Sequence, residues 1–312
     1  MALALILGLN PAWQKTLAFD KFLPGEVNRA KEIKLFAAGK GVNFARAAKI
    51  WDKTDTIVAQ FAGGYSGLKL VGALDEEGIK HLTRKVEPQT RICTTILSKT
   101  KPRMTELIEP SGTVSEADAV ALLKAAMALL PKADALAICG TYPPGVDENF
   151  YGILAKQAFE LDKFIMVDSV MATKQVLPFL KYGILKVNLA ELRVLTKEDA
   201  PEDALRKCRK TYGIHAVAVT DGPHKAYLAD ESGIWTYKLP KLKAIESPLG
   251  AGDTCAAVTL SEFMAGTPAH ASFAFGLAAA SASCLTRDCA VFSKENALEI
   301  KTQMHVNFTP QV

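Results

Sequence analysis

The sequence predicts an α/β protein, a mostly parallel β-sheet with helices packed on both faces. Three observations lead there. Short β-type runs alternate with amphipathic helical patterns through most of the 312 residues, the signature of βαβ units. The run ADALAIC (133–139) is almost wholly apolar, as a strand buried on both faces must be. The cluster Gly140-Thr141-Tyr142-Pro143-Pro144-Gly145 then forces a turn before the next helical pattern.

Taken along the chain, residues 15–36 and 91–109 carry β-type or alternating runs (LAFDKFL, KEIKLF, ICTTILS, MTELIE) with no long helical pattern inside either. They are expected to form a small separate sheet drawn from two places in the chain. A helix over 115–130 follows from Ser115 and Asp118 at capping-box spacing. After the strand at 133–139, Asp147 is placed to cap a helix with Phe150, Leu154 and Ala158 on one face. A strand at 164–167 then completes one parallel crossover. Further strands are expected at 184–187 and 215–220, and further helices at 202–213, 251–265 and 268–286, so the last third reads as increasingly helical. No internal repeat or linker suggests a second autonomous domain.

Composition narrows the function. Thirty-seven Lys and Arg against 33 Asp and Glu leave a net charge of +4, too little for a nucleic-acid-binding field. With 49% hydrophobic and 22% charged residues the chain can bury a large core. The six cysteines, Cys93, Cys139, Cys208, Cys255, Cys284 and Cys289, contain no CxxC pair, which argues against a zinc site or a disulfide scaffold and fits a reducing cytoplasm. No signal sequence and no run of about 18 apolar residues is present, so neither export nor a membrane span is expected. The histidines (His81, His215, His224, His270, His305) show no HExxH spacing and read as structural or surface.

Two glycine-rich motifs could carry chemistry. In Ser247-Pro248-Leu249-Gly250-Ala251-Gly252-Asp253-Thr254, the proline and glycines permit a tight turn whose N–H groups point inward, and a helix beginning near Ala251 adds its positive dipole end. That combination makes an anion hole. Asp253, ionised at neutral pH, would accept a hydroxyl proton while the N–H groups hold growing phosphoryl charge. Acidic residues also favour first turns for purely structural reasons. The second motif, Gly39-Lys40-Gly41-Val42-Asn43-Phe44, places Phe44 where a dinucleotide fingerprint has its third glycine, and the Walker form GxxxxGK[ST] is absent. Its glycines would let backbone approach a hydroxylated ligand, with Asn43 as donor and acceptor and Lys40 as a cation; helix packing alone would also explain them.

Together these two motifs, in this order and separation, resemble the signatures of the ribokinase-like (PfkB-type) carbohydrate kinases. The likeness is nearest to the 1-phosphofructokinase and tagatose-6-phosphate kinase branch, through Leu9-Asn10-Pro11-Ala12, Gly25-Glu26-Val27-Asn28-Arg29, Thr90-Arg91-Ile92-Cys93-Thr94-Thr95, Thr105-Glu106-Leu107 and the Gly140–Gly145 run. The resemblance implies a ribokinase-like three-layer α/β/α domain spanning 1–312, with a small β lid from about 11–36 and 90–110 that often forms a homodimer contact. It implies ATP and Mg2+ as cofactors and a sugar phosphate as substrate. Asp253 would be the base, with Gly250, Ala251 and Gly252 forming the anion hole. Gln14, Gly39, Lys40, Asn43 and Arg91 would face the sugar, Lys40 and Arg91 binding the phosphate it already carries. Lys186, Asn188, Thr220 and Gly222 would line the nucleotide site, and Glu191 would help place magnesium.

Several positions depart from the family pattern. Gln14 stands where an aspartate binds sugar hydroxyls, losing charge-assisted bonds worth about 1.5 to 3 kcal/mol each. Val187 replaces a proline, Lys225 lies where a glycine commonly follows the nucleotide loop, and Ser247-Pro248 replaces Asp-Thr. Asp168, ending a strand, would reach the crevice beyond strand C-termini; Trp13 and Cys255 read as packing residues. The expected reaction is phosphorylation of a ketohexose phosphate, fructose 1-phosphate or tagatose 6-phosphate. The alternatives are a kinase for an unphosphorylated sugar or nucleoside, and a silent sugar-phosphate-binding protein on the same fold.

Overall fold

The structure, a computed structural model, describes residues 1–99, 104–171, 173–223 and 225–310. Residues 100–103 of the segment expected to form part of the small sheet, and His224, lie outside these. The elements run β1 (Ala2–Leu7), β2 (Ala12–Phe19), β3 (Glu32–Ala38), α1 (Lys40–Trp51), β4 (Thr54–Gly63), α2 (Gly64–Glu77), β5 (His81–Val86), β6 (Ile92–Ser98) and β7 (Thr105–Ile108). There follow α3 (Glu116–Leu129), β8 (Ala135–Cys139), α4 (Phe150–Glu160), β9 (Phe164–Asp168), α5 (Thr173–Val176), β10 (Ile184–Asn188), α6 (Leu189–Thr196), α7 (Pro201–Tyr212) and β11 (Ala216–Asp221). The chain ends through β12 (Lys225–Ala229), β13 (Gly233–Lys238), α8 (Ala251–Met264), α9 (Ala269–Ser283), α10 (Lys294–Thr302) and β14 (His305–Pro310).

Ten strands form one sheet in the order β14-β13-β12-β11-β10-β9-β8-β1-β4-β5. It is parallel from β11 to β5, as the alternation of runs requires, and antiparallel through β12, β13 and β14. The strict two-residue period of a strand divides its core. Ala4 and Ile6 of β1 face Phe44 and Trp51 of α1, Val258 of α8 and Phe273 of α9. Leu5 and Leu7 face Leu122 of α3, Leu154 of α4, Leu192 of α6 and Leu205 of α7. This is the α/β/α layering the sequence predicts. The other four strands form a separate sheet in the order β3-β2-β6-β7, with β2 and β6 parallel and the outer pairs antiparallel; it falls on the two segments singled out for their lack of helical pattern.

Two local expectations are corrected. The last third is not simply helical, because β12 and β13 form a hairpin and β14 closes the sheet edge. Asp147 does not cap α4. Its Oδ1 accepts from the Asn149 amide at 2.7 Å, closing the turn before the helix, and α4 starts at Phe150 with no side-chain cap. The Ser115 cap on α3 does form, accepting from the Asp118 amide at 3.1 Å. Among the described residues no helix is long and apolar enough to cross a membrane.

Helices α1 and α8 run side by side in the same direction and are pinned at both ends. At their starts Asn43 Nδ2 donates to Asp253 Oδ2 at 2.7 Å. At their far ends Glu262 accepts from Trp51 Nε1 at 2.7 Å, pairs with Lys53 Nζ at 2.6 Å, and takes the Thr267 hydroxyl at 3.0 Å on its other oxygen.

Candidate active site

The parallel strands β1, β8, β9, β10 and β11 all present their C-terminal ends along one edge of the large sheet, the place where open α/β sheets bind ligands. Asp168 ends β9, Lys186 and Asn188 end β10, and Thr220 lies opposite Asn188 near the end of β11. Helix α1 enters this edge with Lys40 and Asn43 in its first turn, and α8 enters it with Gly250–Asp253.

The α8 turn depends on glycine at its first position. Gly250 is the residue before the helix, at φ 77°, a conformation that side chains resist. A Cβ there would lie 2.6 Å from Cys289 Sγ, so the turn sits hard against the 289–290 segment. The amides of Gly252 and Asp253 follow within the first turn, where α-helical geometry supplies no acceptor for them. They are free to meet an anion, and Lys186 Nζ braces the turn by donating to the Gly252 carbonyl at 3.1 Å. Gly39, preceding α1 at φ 117°, allows a similar close approach: a Cβ would lie 2.8 Å from Pro11 Cα.

Two buried carboxylates share the centre, with opposite electrostatics. Burial alone would drive Asp168 towards its neutral form. Lys186 Nζ at 3.2 Å and Lys40 Nζ at 2.9 Å outweigh that and hold it below the ordinary carboxylate range. Asp253 is pushed up to about 6, because burial and the negative charge of Asp168 are only partly offset by Lys40, the Asn43 amide and Lys186. Asp253 Oδ2 is held by Asn43, while its Oδ1 has no protein partner among the described residues. On a carboxylate this buried, an accessible oxygen left without a protein partner beside a helix's first-turn amides can take a proton from a hydroxyl.

Thus Lys40, Asp168, Lys186 and the Gly252 carbonyl form one hydrogen-bonded chain, which the Gly252–Asp253 peptide joins to the Asn43–Asp253 pair. Lys40, expected at the sugar phosphate with Arg91, donates to Asp168 at 2.9 Å, with its side chain 42% exposed. Arg91 belongs to a second group, donating to the Asn10 carbonyl at 2.9 Å and the Pro11 carbonyl at 3.4 Å, with three N–H groups uncommitted among the described residues. The two groups meet where Pro11 abuts Gly39. Gln14 is buried and donates to Thr95 Oγ1 at 2.8 Å across the small sheet.

Asn188 and Glu191 build a reciprocal cap on α6: Asn188 Oδ1 accepts from the Glu191 amide at 2.9 Å and Glu191 Oε2 accepts from the Asn188 amide at 2.8 Å. Glu191 Oε1 remains unbonded to protein among the described residues. A magnesium ion takes one or two carboxylates and otherwise phosphate and water oxygens, so this carboxylate fits such an ion without further protein ligands. Gly222, two residues beyond Thr220, sits at φ 61° with open space where a side chain would be.

Sequence reasoning missed Arg46. Its side chain is buried in α1 and touches Asn43, yet an arginine inside an amphipathic helix gives no signal that distinguishes it from a surface charge. For Asp168 the signal was its place at a strand end, without its lysine partners.

A model of the pfkB family of carbohydrate kinases matches residues 9–296. Among solved structures, Escherichia coli phosphofructokinase-2 in complex with fructose-6-phosphate is 23% identical, with a TM-score of 0.86 over 97% of this chain and 99% of that one; it has also been solved as a tetrameric inhibited form. A Thermotoga maritima protein described as a possible 1-phosphofructokinase is 20% identical, with a TM-score of 0.84 over 98% and 99% of the two chains. Ribokinase from Thermotoga maritima is 20% identical, with a TM-score of 0.77 over 97% and 100%. These likenesses identify the ribokinase-like fold.

Proposed function

The chain belongs to the pfkB family of carbohydrate kinases, and from that premise we propose that it transfers the γ-phosphoryl group of ATP to a hydroxyl of a phosphorylated ketohexose. Fructose 1-phosphate and tagatose 6-phosphate are the substrates of choice, and the product is a ketohexose bisphosphate. A sugar kinase of this family uses ATP with a metal ion. The observation that carries the reading is the pairing of an open Asp253 Oδ1 with the unbonded first-turn amides of α8.

In this reading Asp253 Oδ1 accepts the proton of the attacking hydroxyl, while Asn43 holds the other oxygen and so fixes the direction of approach. The Gly252 and Asp253 amides face the charge that grows on the transferred group, and the helix dipole of α8 adds to them. Lys186 keeps that turn in place and, with Lys40, keeps Asp168 ionised. A magnesium ion would be held through Glu191 Oε1 and would supply charge neutralisation to the phosphoryl groups of ATP.

Arg91 binds the phosphate already on the sugar. A phosphomonoester dianion needs a cation, and three uncommitted guanidinium N–H groups beside the Gly39 turn supply a planar fork for it. Gln14 offers the sugar an amide carbonyl, its N–H being directed to Thr95. The outer face of the small sheet carries Ile33 and Leu35 of β3 and Leu107 of β7, each about half exposed, around a shared row with Leu17 and Ile96. A second copy of the chain covers this lid face in the active enzyme. The six free thiols suit a reducing cytoplasm.

An ADP-release assay over a panel of sugars, nucleosides and sugar phosphates, with and without magnesium, tests the reading. Turnover is expected to be highest with a ketohexose phosphate and to require the metal. A neutral sugar or nucleoside as best substrate would overturn the phosphosugar assignment, and ATP binding without ADP release on any acceptor would mark a silent binding protein.

A further inference from the structure

Arg46 lies in the second turn of α1, one turn beyond Asn43 and outside the reacting groups, and its guanidinium is fully used. Nε and Nη2 form a fork on Glu77 at 2.6 and 2.9 Å. Nη2 also donates to the Ala37 carbonyl at 2.7 Å. Nη1 reaches the Asn43 Oδ1 and the Cys289 carbonyl, each at 3.4 Å. Five donors thus meet five acceptors, drawn from the end of β3, from α1 itself, from the end of α2 and from the segment behind the Gly250 turn.

Two of these contacts bear on chemistry. A side-chain amide can present either its oxygen or its nitrogen in a given direction. With a guanidinium on one side and the Asp253 carboxylate on the other, only one orientation avoids facing donor to donor and oxygen to oxygen. The Cys289 carbonyl is part of the segment whose Sγ sits against Gly250, so the same guanidinium fixes the wall behind the anion hole. The fork on Glu77 holds the guanidinium in register for both tasks.

We infer that Arg46, braced by Glu77, is a positioning residue for phosphoryl transfer: it sets the Asn43 amide so that its N–H, not its oxygen, faces Asp253. This rests on the reading of Asp253 as the base. The groups facing Asp253 are Lys40 and Asn43 of α1, Asp168 of β9, Lys186 of β10, the Cys139 thiol of β8 and the Cys289 thiol. Of these only the Cys289 thiol also feels the Glu77 charge, and it makes no hydrogen bond to either carboxylate, so the hydrogen-bonded route from Glu77 to Asp253 runs through Arg46 and Asn43.

The test is the pH dependence of kcat at saturating ATP for the wild type and for Arg46→Met, Glu77→Gln, Asn43→Ala and the double variant Arg46→Met with Asn43→Ala. Loss of an N–H bond to the charged form raises a carboxylate pKa. The acid limb is therefore expected to move up by about half a pH unit or more in Arg46→Met, and by less in Glu77→Gln. In the Asn43→Ala background, Arg46→Met is expected to add almost nothing. An unmoved limb, or an equal shift in both backgrounds, would show that Arg46 acts on stability or by bare charge and overturn the inference. Should Arg46→Met fail to fold, Glu77→Gln decides on the same criterion. Asp253→Asn measured alongside separates the two ideas: near-normal turnover there would remove the base itself, whereas a collapsed turnover with an unmoved limb in the Arg46 and Glu77 variants removes only the positioning role.

Discussion

Helices α1 and α8 are joined at each end by a buried carboxylate of α8 accepting from an N–H of α1, and the two ends could hardly differ more in what they do. At the far end both oxygens of Glu262 are taken, by Trp51, Lys53 and Thr267. At the near end Asp253 gives one oxygen to Asn43 and leaves the other towards the crevice. Glu262 is 1% exposed and Asp253 8%, so burial does not separate them. The unsatisfied oxygen does. A buried acid whose bonding is complete holds helices together; one whose bonding is incomplete beside open amides is ready for a reaction.

The sharpest way to break this contrast is Asp253→Asn, which keeps the shape and the Asn43 contact but removes the proposed base. Turnover is expected to fall at least about a hundredfold, with ATP binding retained by calorimetric titration. Near-normal turnover would make the two ends equivalent. A smaller effect comes from acid. Because the Asp253 carboxyl is pushed up to about 6, its ionised form is lost as pH falls through that value. In steady-state rates kcat should be level above it and should decline about tenfold per unit below it. A profile flat to pH 5 would contradict an ionised Asp253 as the proton acceptor. The least effect on rate is expected from Glu262→Gln, which should leave kcat within about twofold while lowering stability by about 1 to 3 kcal/mol through the unpaired partners it creates. Thermal unfolding and initial rates on the same preparation check both halves, and an acid limb displaced by that substitution would blur the distinction between the ends.

Much of this was readable from residue order. Apolar runs separated by turn clusters are what a sheet covered on both faces demands, so the parallel strands β8, β9, β10 and β11 fall within a residue or two of expectation. The two glycine motifs lie at adjoining helix starts because tight turns and open amides need glycine wherever they occur. What escaped depended on which distant groups meet. Lys40 carries the same charge whatever it meets, and only the placement of β9 beside α1 shows its bond to Asp168. Asn188 and Glu191 stand at the spacing of a reciprocal helix cap, which is the bond they make. Strand β14 does alternate, with Val306 and Phe308 between polar residues, but two apolar positions in a six-residue run are a weak strand signal, and Arg46 needed four segments in place before its contacts could be seen.

The parallel pairing of β2 with β6, Trp13 beside Ile92 and Phe19 beside Ser98, has a consequence for how the molecule comes into being. As the chain leaves the ribosome, β2 and β3 can zip up at once as a hairpin, but their third neighbour follows only after α1, β4, α2 and β5 have been made. Closing that long gap is repaid only once those intervening elements have folded and brought the ends together. The small sheet is therefore the late-maturing part of the N-terminal half, and until β6 arrives the nascent chain displays an incomplete strand edge for chaperones or other strands to find.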